Sequence, residues 1–438
     1  MSKSKIIVLD DDPTGSQTVH SCLLLMVWDV ETLRSALKDA APIFFVLTNT
    51  RSLAPEQAAK VTKEVCQNLK EAIAAEGIEE FLIVSRSDST LRGHYPIETD
   101  VIAEELGGFD AHFLVPAFFE GGRITKDSSH YLLIDGKLTP VHETEFARDS
   151  VFGYSHSYLP DYVAQKTAGK IPASSVERFL LSDIRSGVSE RLMQLKDNQC
   201  VAVDAETQSD LDRFAEDILT AADAGKRFLF RSAASLLTSL AQLGKQPIAP
   251  EAMSQKKPTS NPGAIIVGSH VSKTTQQLQR LLKEENEAIG IELDVNRLRD
   301  NPETRAKMLA EILERVAEVY QQQQTAVVYT SRDELVFASV EERLQFGAEV
   351  SSLLMDVVRG LPKEIGFLIS KGGITSNDVL SNGLALKQAR LLGQIIPGCS
   401  VVITPSDRQL FPNLPVVLFP GNVGDELGLV TAYHRLRN

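Results

Sequence analysis

The chain has 438 residues, 43% hydrophobic and 24% charged, a folding composition that excludes disorder and at this length implies two domains. Its 45 basic and 58 acidic residues leave a formal charge of −13 with no dense basic patch, so no nucleic acid and no membrane surface is expected as a partner. Four scattered cysteines without a CxxC pair, only a short apolar run after Met1–Lys5, and no stretch approaching roughly 18 apolar residues predict a cytoplasmic protein.

The first strand, Ile6 to Leu9, is apolar and β-branched, and it runs into Asp10-Asp11-Asp12-Pro13-Thr14-Gly15, a tight polar turn. Another apolar run spans Cys22 to Val27, a helix is predicted from Val30 to Ala40, and Ile43 to Leu47 ends in Thr48-Asn49-Thr50-Arg51-Ser52. A helix from Pro55 carries Ala58, Val61, Val65, Leu69 and Ile73 on one face. Phe81 to Val84 then leads into a run of hydroxyls and arginines, and His112 to Ala117 into Gly121-Gly122. Short, wholly apolar strands alternating with helices define an α/β fold, with a largely parallel or mixed sheet flanked by helices. Because ligands of such sheets bind beyond the carboxyl ends of the strands, segments 10–16, 48–52, 85–93 and 116–126 are expected to converge on a cleft.

Residues 131–175 break the alternation: Tyr131 to Leu138 predicts a hairpin turning at Asp135-Gly136, and the aromatic stretch after it reads as an excursion over the cleft. Strands resume at 198–204 and 226–231, with a helix over 208–222 between them. The segment rich in proline, lysine and serine from Gly244 has no sustained apolar period. It sets expected boundaries of 1–243 for the first domain, 244–262 for a linker and 263–438 for the second. Ala264 to Ser269 repeats the device of strand, glycine turn and helix, and further strands are predicted at 325–329, 365–370, 400–403 and 416–419.

Three constellations can carry chemistry. Adjacent carboxylates at Asp10, Asp11 and Asp12 repel one another unless solvated, paired or used; the sequence leaves open a solvated turn or a group that orients a substrate hydroxyl. Arg86 and Arg92, set among Ser85, Ser87, Ser89 and Thr90, suit a carboxylate or phosphate, or else a capped loop in which Arg86 pairs with an acid. Lys371-Gly372-Gly373-Ile374-Thr375 and Gly421-Asn422-Val423-Gly424, each after a buried strand, let backbone amides approach a phosphate, as does Gly268-Ser269. There is no GxxxxGK[ST] loop, no GxGxxG after the first strand, no HExxH and no GxSxG, which weighs against P-loop, dinucleotide-binding, zinc and serine-hydrolase chemistry.

Taken together, these motifs resemble the four-carbon acid sugar kinase family. Asp11-Asp12-Pro13-Thr14-Gly15 is similar to its DDxTG signature, Ser87 to Gly93 to its second N-terminal signature, and Ser370 to Thr375 and Gly421 to Gly424 to its nucleotide loops. The resemblance spans both expected domains. It implies a sugar-acid-binding N-terminal domain and a nucleotide-binding C-terminal domain, with the active site in the interdomain cleft. The implied reaction is transfer of the ATP γ-phosphoryl group to the terminal hydroxyl of a tetronate or 3-oxo-tetronate, with Mg2+ as the companion ion. Carried over, Asp12 and Asp11 are the catalytic pair, and Ser87, Ser89, Arg92 and Arg86 hold the acid. Ser269, Gly372, Gly373, Thr375, Gly421 and Gly424 line ATP. The magnesium ligands stay unassigned, and a homo-oligomer is left open. Ile374 stands where many members carry a polar or acidic residue, and Pro13 and Ser16 to His20 mark a divergent branch. These differences keep a non-catalytic binding or regulatory protein on the same fold as the alternative.

Overall fold

The structure is a computed structural model that describes residues 4–134, 136–332, 335, 337 and 339–437. The chain separates into two compact units, Met1–Lys245 and Gln246–Asn438.

The first unit contains strands β1 (Lys5–Asp10), β2 (Leu23–Leu25), β3 (Ile43–Leu47), β4 (Phe81–Arg86), β5 (Ala111–Val115), β6 (Arg123–Lys126), β7 (Ser129–Ile134), β8 (Lys137–Pro140), β9 (Glu177–Phe179), β10 (Gln199–Val203) and β11 (Phe228–Ser232). Eight of them form a parallel sheet in the order β2-β3-β1-β4-β11-β5-β10-β9. Helices cover both faces, which is why the strands read as continuous apolar runs: Ile6, Ile7 and Val8 are buried, as are all five residues of β3. Phe113 packs against Phe179, Phe214, Phe228 and Phe230 with ring centroids 5.3 to 6.2 Å apart. Each such side chain contributes about 1.5–3 kcal/mol on burial.

The helix Pro55–Glu76 begins with proline, whose missing N–H costs nothing in a first turn. It ends at Gly77, whose φ of 64° closes the helix in the left-handed conformation. Ala58, Val65, Leu69 and Ile73 form its buried stripe.

β6, β7 and β8 form a separate antiparallel sheet. The hairpin is present, with Leu133 opposite Leu138, although Asp135 of its expected turn lies outside the described residues. The stretch after it packs onto the loop following β4: the hydroxyls of Tyr154 and Tyr162 donate to the carbonyls of Thr90 (2.7 Å) and Leu91 (2.9 Å).

The second unit has β12 (Ala264–Val267), β13 (Ala288–Leu293), β14 (Thr325–Thr330), β15 (Leu368–Lys371), β16 (Gln388–Ile396), β17 (Cys399–Ile403) and β18 (Pro415–Phe419). Their order is β13-β14-β12-β15-β18-β17-β16, parallel from β13 through β18 and antiparallel for the last two pairings.

The segment expected as a linker is largely part of this unit. Pro250–Lys256 forms a short 3-10 helix, and Met253 is fully buried with Ile265, Phe367 and Leu436. Gln246 and Gln394 exchange two hydrogen bonds, of 2.8 and 3.0 Å. One methionine and one amide anchor a segment whose composition otherwise reads as solvated. Among the described residues no helix is long and apolar enough to cross a membrane, and Cys22, Cys66, Cys200 and Cys399 are buried.

Candidate functional site

The first cluster lies where the connections of the parallel sheet diverge. From β1 the chain moves out to β2 and β3, whereas β4 leads toward β5 on the other side, and β1 and β4 are neighbours. Connections that diverge in this way mark the place, beyond the carboxyl ends of the strands, where α/β sheets bind ligands.

Asp10, Asp11 and Asp12 occupy the end of β1 in three different environments. Asp10 is fully buried, and its Oδ1 accepts from Arg86 Nη1 at 3.3 Å while its Oδ2 has no hydrogen-bond partner among the described residues. Burial, opposed by Arg86 and reinforced by Asp11 and Asp12, pushes its carboxyl up to about 7. Gly15 lies against this carboxylate, and a larger residue there would collide with it. Arg86, expected beside Arg92 as an anion grip, is instead only 5% exposed and turned onto Asp10.

Asp11 accepts from Arg51 Nη2 (2.5 Å), Arg51 Nε (3.2 Å) and Ser87 Oγ (2.8 Å). Asp12 keeps one oxygen on Thr14 and the other 3.2 Å from Arg51 Nη1, with 21% of its side chain exposed. Burial acts to raise the Asp12 pKa, but Arg51, Arg86 and Thr14 outweigh it and hold the carboxyl below its ordinary value. Asp12 is therefore ionised at neutral pH and, of the three, the most accessible. Arg51 ties the pair together and is the residue that sequence reasoning missed. Its signal was position alone, in the segment after β3.

The loop after β4 is held in place from several directions. Arg92 Nε donates to Asp88 at 2.7 Å, its Nη1 is 3.7 Å from Asp149, and the guanidinium lies over Phe146. The Ser87 hydroxyl bridges Asp11 and the Arg92 carbonyl, and the Ser89 carbonyl accepts from His130 Nε2 at 2.7 Å. Beneath the loop, Arg231 donates to Glu98 (2.6 Å) and Ser85 (2.8 Å), and Thr50 donates to the other Glu98 oxygen (2.6 Å). Asp11, Ser87, Arg92 and Asp12 are thus connected through Arg51, Asp88 and one another. A cleft of about 690 Å3 lined by Lys5, Pro42 and Glu80 lies at the opposite, amino-terminal edge of the strands and holds none of them.

In the second unit, the loops after the adjacent strands β12, β15 and β18 converge. Gly372 N donates to Phe419 O (2.8 Å), and Thr274 Oγ1 donates to Gly421 O (3.1 Å) and Ser269 Oγ (3.4 Å). A Cβ at Gly372, whose φ is 121°, would lie 2.9 Å from Ser269 Cβ and 3.0 Å from Thr375 Oγ1, and one at Gly421 would lie 3.3 Å from Ser269 Oγ. Gly424, with φ 79°, accepts from Lys273 at 3.2 Å. Ser269, Gly372, Thr375 and Gly421 therefore form one small-residue cradle, with Gly424 farther along the same loop. Gly373 opens a helix of only six residues, Gly373–Asp378, and Ile374 is exposed to 69%.

Lys371 is fully buried under this cradle. Its Nζ donates to the carbonyls of Pro420 (2.5 Å) and Gly421 (3.2 Å) and lies 4.0 Å from the centre of the Phe419 ring. Burial pushes its pKa down to about 7. Among the described residues no group of three or more His, Cys, Asp or Glu side chains is disposed to hold a metal ion.

The chain thus consists of two α/β units, one with an acid–arginine cluster and one with a glycine cradle at its strand ends. Residues 6–240 match the family described as sugar-binding N-terminal domain, and residues 264–429 match the nucleotide-binding C-terminal domain. The chain belongs to this family, which is related to the four-carbon acid sugar kinases. It is 29% identical over 223 residues to a D-erythronate kinase of Heliobacterium modesticaldum, covering 48% of this chain and 47% of that protein. It is 30% identical over 185 residues to a D-threonate kinase of Bordetella bronchiseptica, covering 39% and 43%. The matches thus span less than half the length of either relative. Two crystal structures share the fold over nearly their whole length. One is a Haemophilus influenzae protein of family DUF1537 (18% identity, TM-score 0.64, 98% and 100% covered). The other is a Salmonella typhimurium LT2 protein provisionally named a tRNA synthase (20% identity, TM-score 0.70, 98% of each chain).

Proposed function

We propose that the protein is an ATP-dependent kinase that phosphorylates the terminal hydroxyl of a four-carbon sugar acid. The observation that carries this reading is the cradle of Ser269, Gly372, Thr375 and Gly421 at three adjacent strand ends, where side chains are too small to keep phosphate oxygens from backbone amides. The kinase relatives supply the acceptor class, tetronates. The acid–arginine cluster of the first unit supplies a chemistry for it: Asp12, ionised and partly accessible, orients the acceptor hydroxyl, and Arg92 and Ser87 face the sugar acid. Asp11 positions Asp12 through their shared Arg51.

The cradle fits ATP, with Ser269, Gly372, Gly373, Thr375, Gly421 and Gly424 as its lining. Bound ATP supplies the transferable phosphoryl group. Magnesium is a poorer fit to the protein alone, since both oxygens of Asp12 and of Asp11 are engaged by Thr14, Arg51 or Ser87. A Mg2+ ion arriving on ATP needs few protein carboxylates, because phosphate oxygens and water fill most of its octahedron.

The test is incubation with Mg-ATP and a panel of erythronate, threonate, 3-oxo-tetronates and longer aldonates, with products identified by mass. A phosphorylated tetronate together with ADP supports the reading. Binding of acid and ATP without transfer favours the non-catalytic alternative, and absence of both turnover and binding overturns the reading.

A further inference from the structure

Arg123 opens β6, and its guanidinium has no hydrogen-bond or ion-pair partner among the described residues. Its Nε is buried and unsatisfied, a costly arrangement for a cation unless something else fills the site. The group rests against the Phe118 ring, 5.9 Å from its centre, and packs across Gly121, where a side chain would collide with it. Phe118 and Arg123 are joined backbone to backbone by two hydrogen bonds of 2.9 Å, so the arginine is presented from a fixed frame.

Its surroundings are those of the loop after β4. Asp88 and Arg92 both lie within electrostatic reach of Arg123. His130, which feels the Arg123 charge, contacts the Ser89 carbonyl. Two guanidiniums therefore flank one loop, and its two nearby carboxylates, Asp88 and Asp149, are both paired with Arg92. Arg123 is left without a paired anion among the described residues.

We propose that Arg123 is a substrate-binding residue that, together with Arg92, holds the carboxylate of the sugar acid. This rests on the kinase reading for the identity of the ligand, but the arrangement itself asks only for a small organic carboxylate. A planar fork with free donors matches a carboxylate in two-point geometry, which a neutral polyol cannot reproduce.

The test compares the full-length protein with Arg123→Gln and Arg123→Lys. Turnover is measured with Mg-ATP on erythronate and threonate and on the matched neutral tetritols, and binding of the same acids is measured by calorimetry. The expected result is a KM for the acid raised at least tenfold in Arg123→Gln, partial recovery in Arg123→Lys, an unchanged KM for ATP and a smaller preference for acid over tetritol. An unchanged KM and an unchanged preference overturn the proposal while leaving the kinase reading intact. If the wild type binds the acids without turnover, the kinase reading fails, and loss of that binding in Arg123→Gln still supports the carboxylate site. If the wild type binds no acid at all, both fail. Because the guanidinium bonds to no described residue, Arg123→Gln is expected to melt within a few degrees of wild type, and Arg123→Lys keeps the test open if it does not.

Discussion

Arg51 and Asp11 meet through two nitrogens and two oxygens, at 2.5 and 3.2 Å, although they stand 40 residues apart in the chain. The third nitrogen of the same guanidinium reaches Asp12, so one cation balances two of the three carboxylates at the end of β1. Arg51→Met should therefore do more than remove a contact: it leaves Asp11, 1% exposed, with only the Ser87 hydroxyl and the longer Arg86 contact at 3.8 Å to balance its buried charge. The expected loss is about 3–5 kcal/mol in urea unfolding. The same substitution made in Asp11→Asn should cost clearly less, and equal costs in the two backgrounds would show that the pair does not couple.

Asp12 is singled out by its accessibility and by its ionised state. Asp12→Asn keeps the shape and an acceptor for Thr14 but removes the charge. Phosphoryl transfer should fall roughly 10²–10⁴-fold, with ATP affinity by calorimetry changed little. Full activity in this variant would take Asp12 out of the reaction.

Gly421 probes the cradle without a backbone penalty, because its φ does not lie in the left-handed region. Gly421→Ala places a methyl group 3.3 Å from Ser269 Oγ and from Val271 Cγ2, tight but tolerable for the fold. ATP affinity should drop about tenfold, equivalent to ~1.4 kcal/mol, with the melting temperature nearly unchanged. Retained affinity would place the phosphates elsewhere.

Lys371 makes a prediction in pH. Its amine is held down to about 7 by burial, against an ordinary value of 10.5 in the unfolded chain. Between those values the unfolded state binds the extra proton, so this residue makes stability rise with pH, by at most about 1.4 kcal/mol per unit. Below 7 both states are protonated and its contribution is flat. Lys371→Met removes the titration: its stability advantage over wild type in urea should be greatest near pH 7 and shrink toward pH 10. Parallel curves would mean that Lys371 is not desolvated as described.

What could be read from the sequence was what is local in it. Asp10 to Asp12, Ser87 to Arg92 and the glycine loops announce themselves because their members are neighbours, and β1, β3 and β4 because burial on both faces leaves no polar alternation. The partners are hidden by distance. Nothing in the sequence ties Arg51 to Asp11, Arg86 to Asp10 or Arg231 to Glu98, since each pair joins segments brought together only by the sheet and the turns and helices that follow its strands. Lys371 stood inside a recognised motif, yet a lysine reads as exposed, and only the cover of Phe419 and Pro420 shows otherwise. β16 escaped notice for a related reason. Its burial alternates along the strand, and Gln388, Arg390 and Gln394 break the apolar run.

β11 is the last strand of the first unit in sequence and lies between β4 and β5 in space, with Leu229 beside both Ile83 and His112. A nascent chain therefore carries β4 and β5 for more than a hundred residues of synthesis before the strand that joins them exists. Until residue 232 has left the ribosome, the unit has an open seam flanked by two unpaired apolar edges. Truncations upstream of β11 should accordingly aggregate rather than yield a smaller folded domain, and refolding of the unit should be slow for its size because its central pairing is its most distant one.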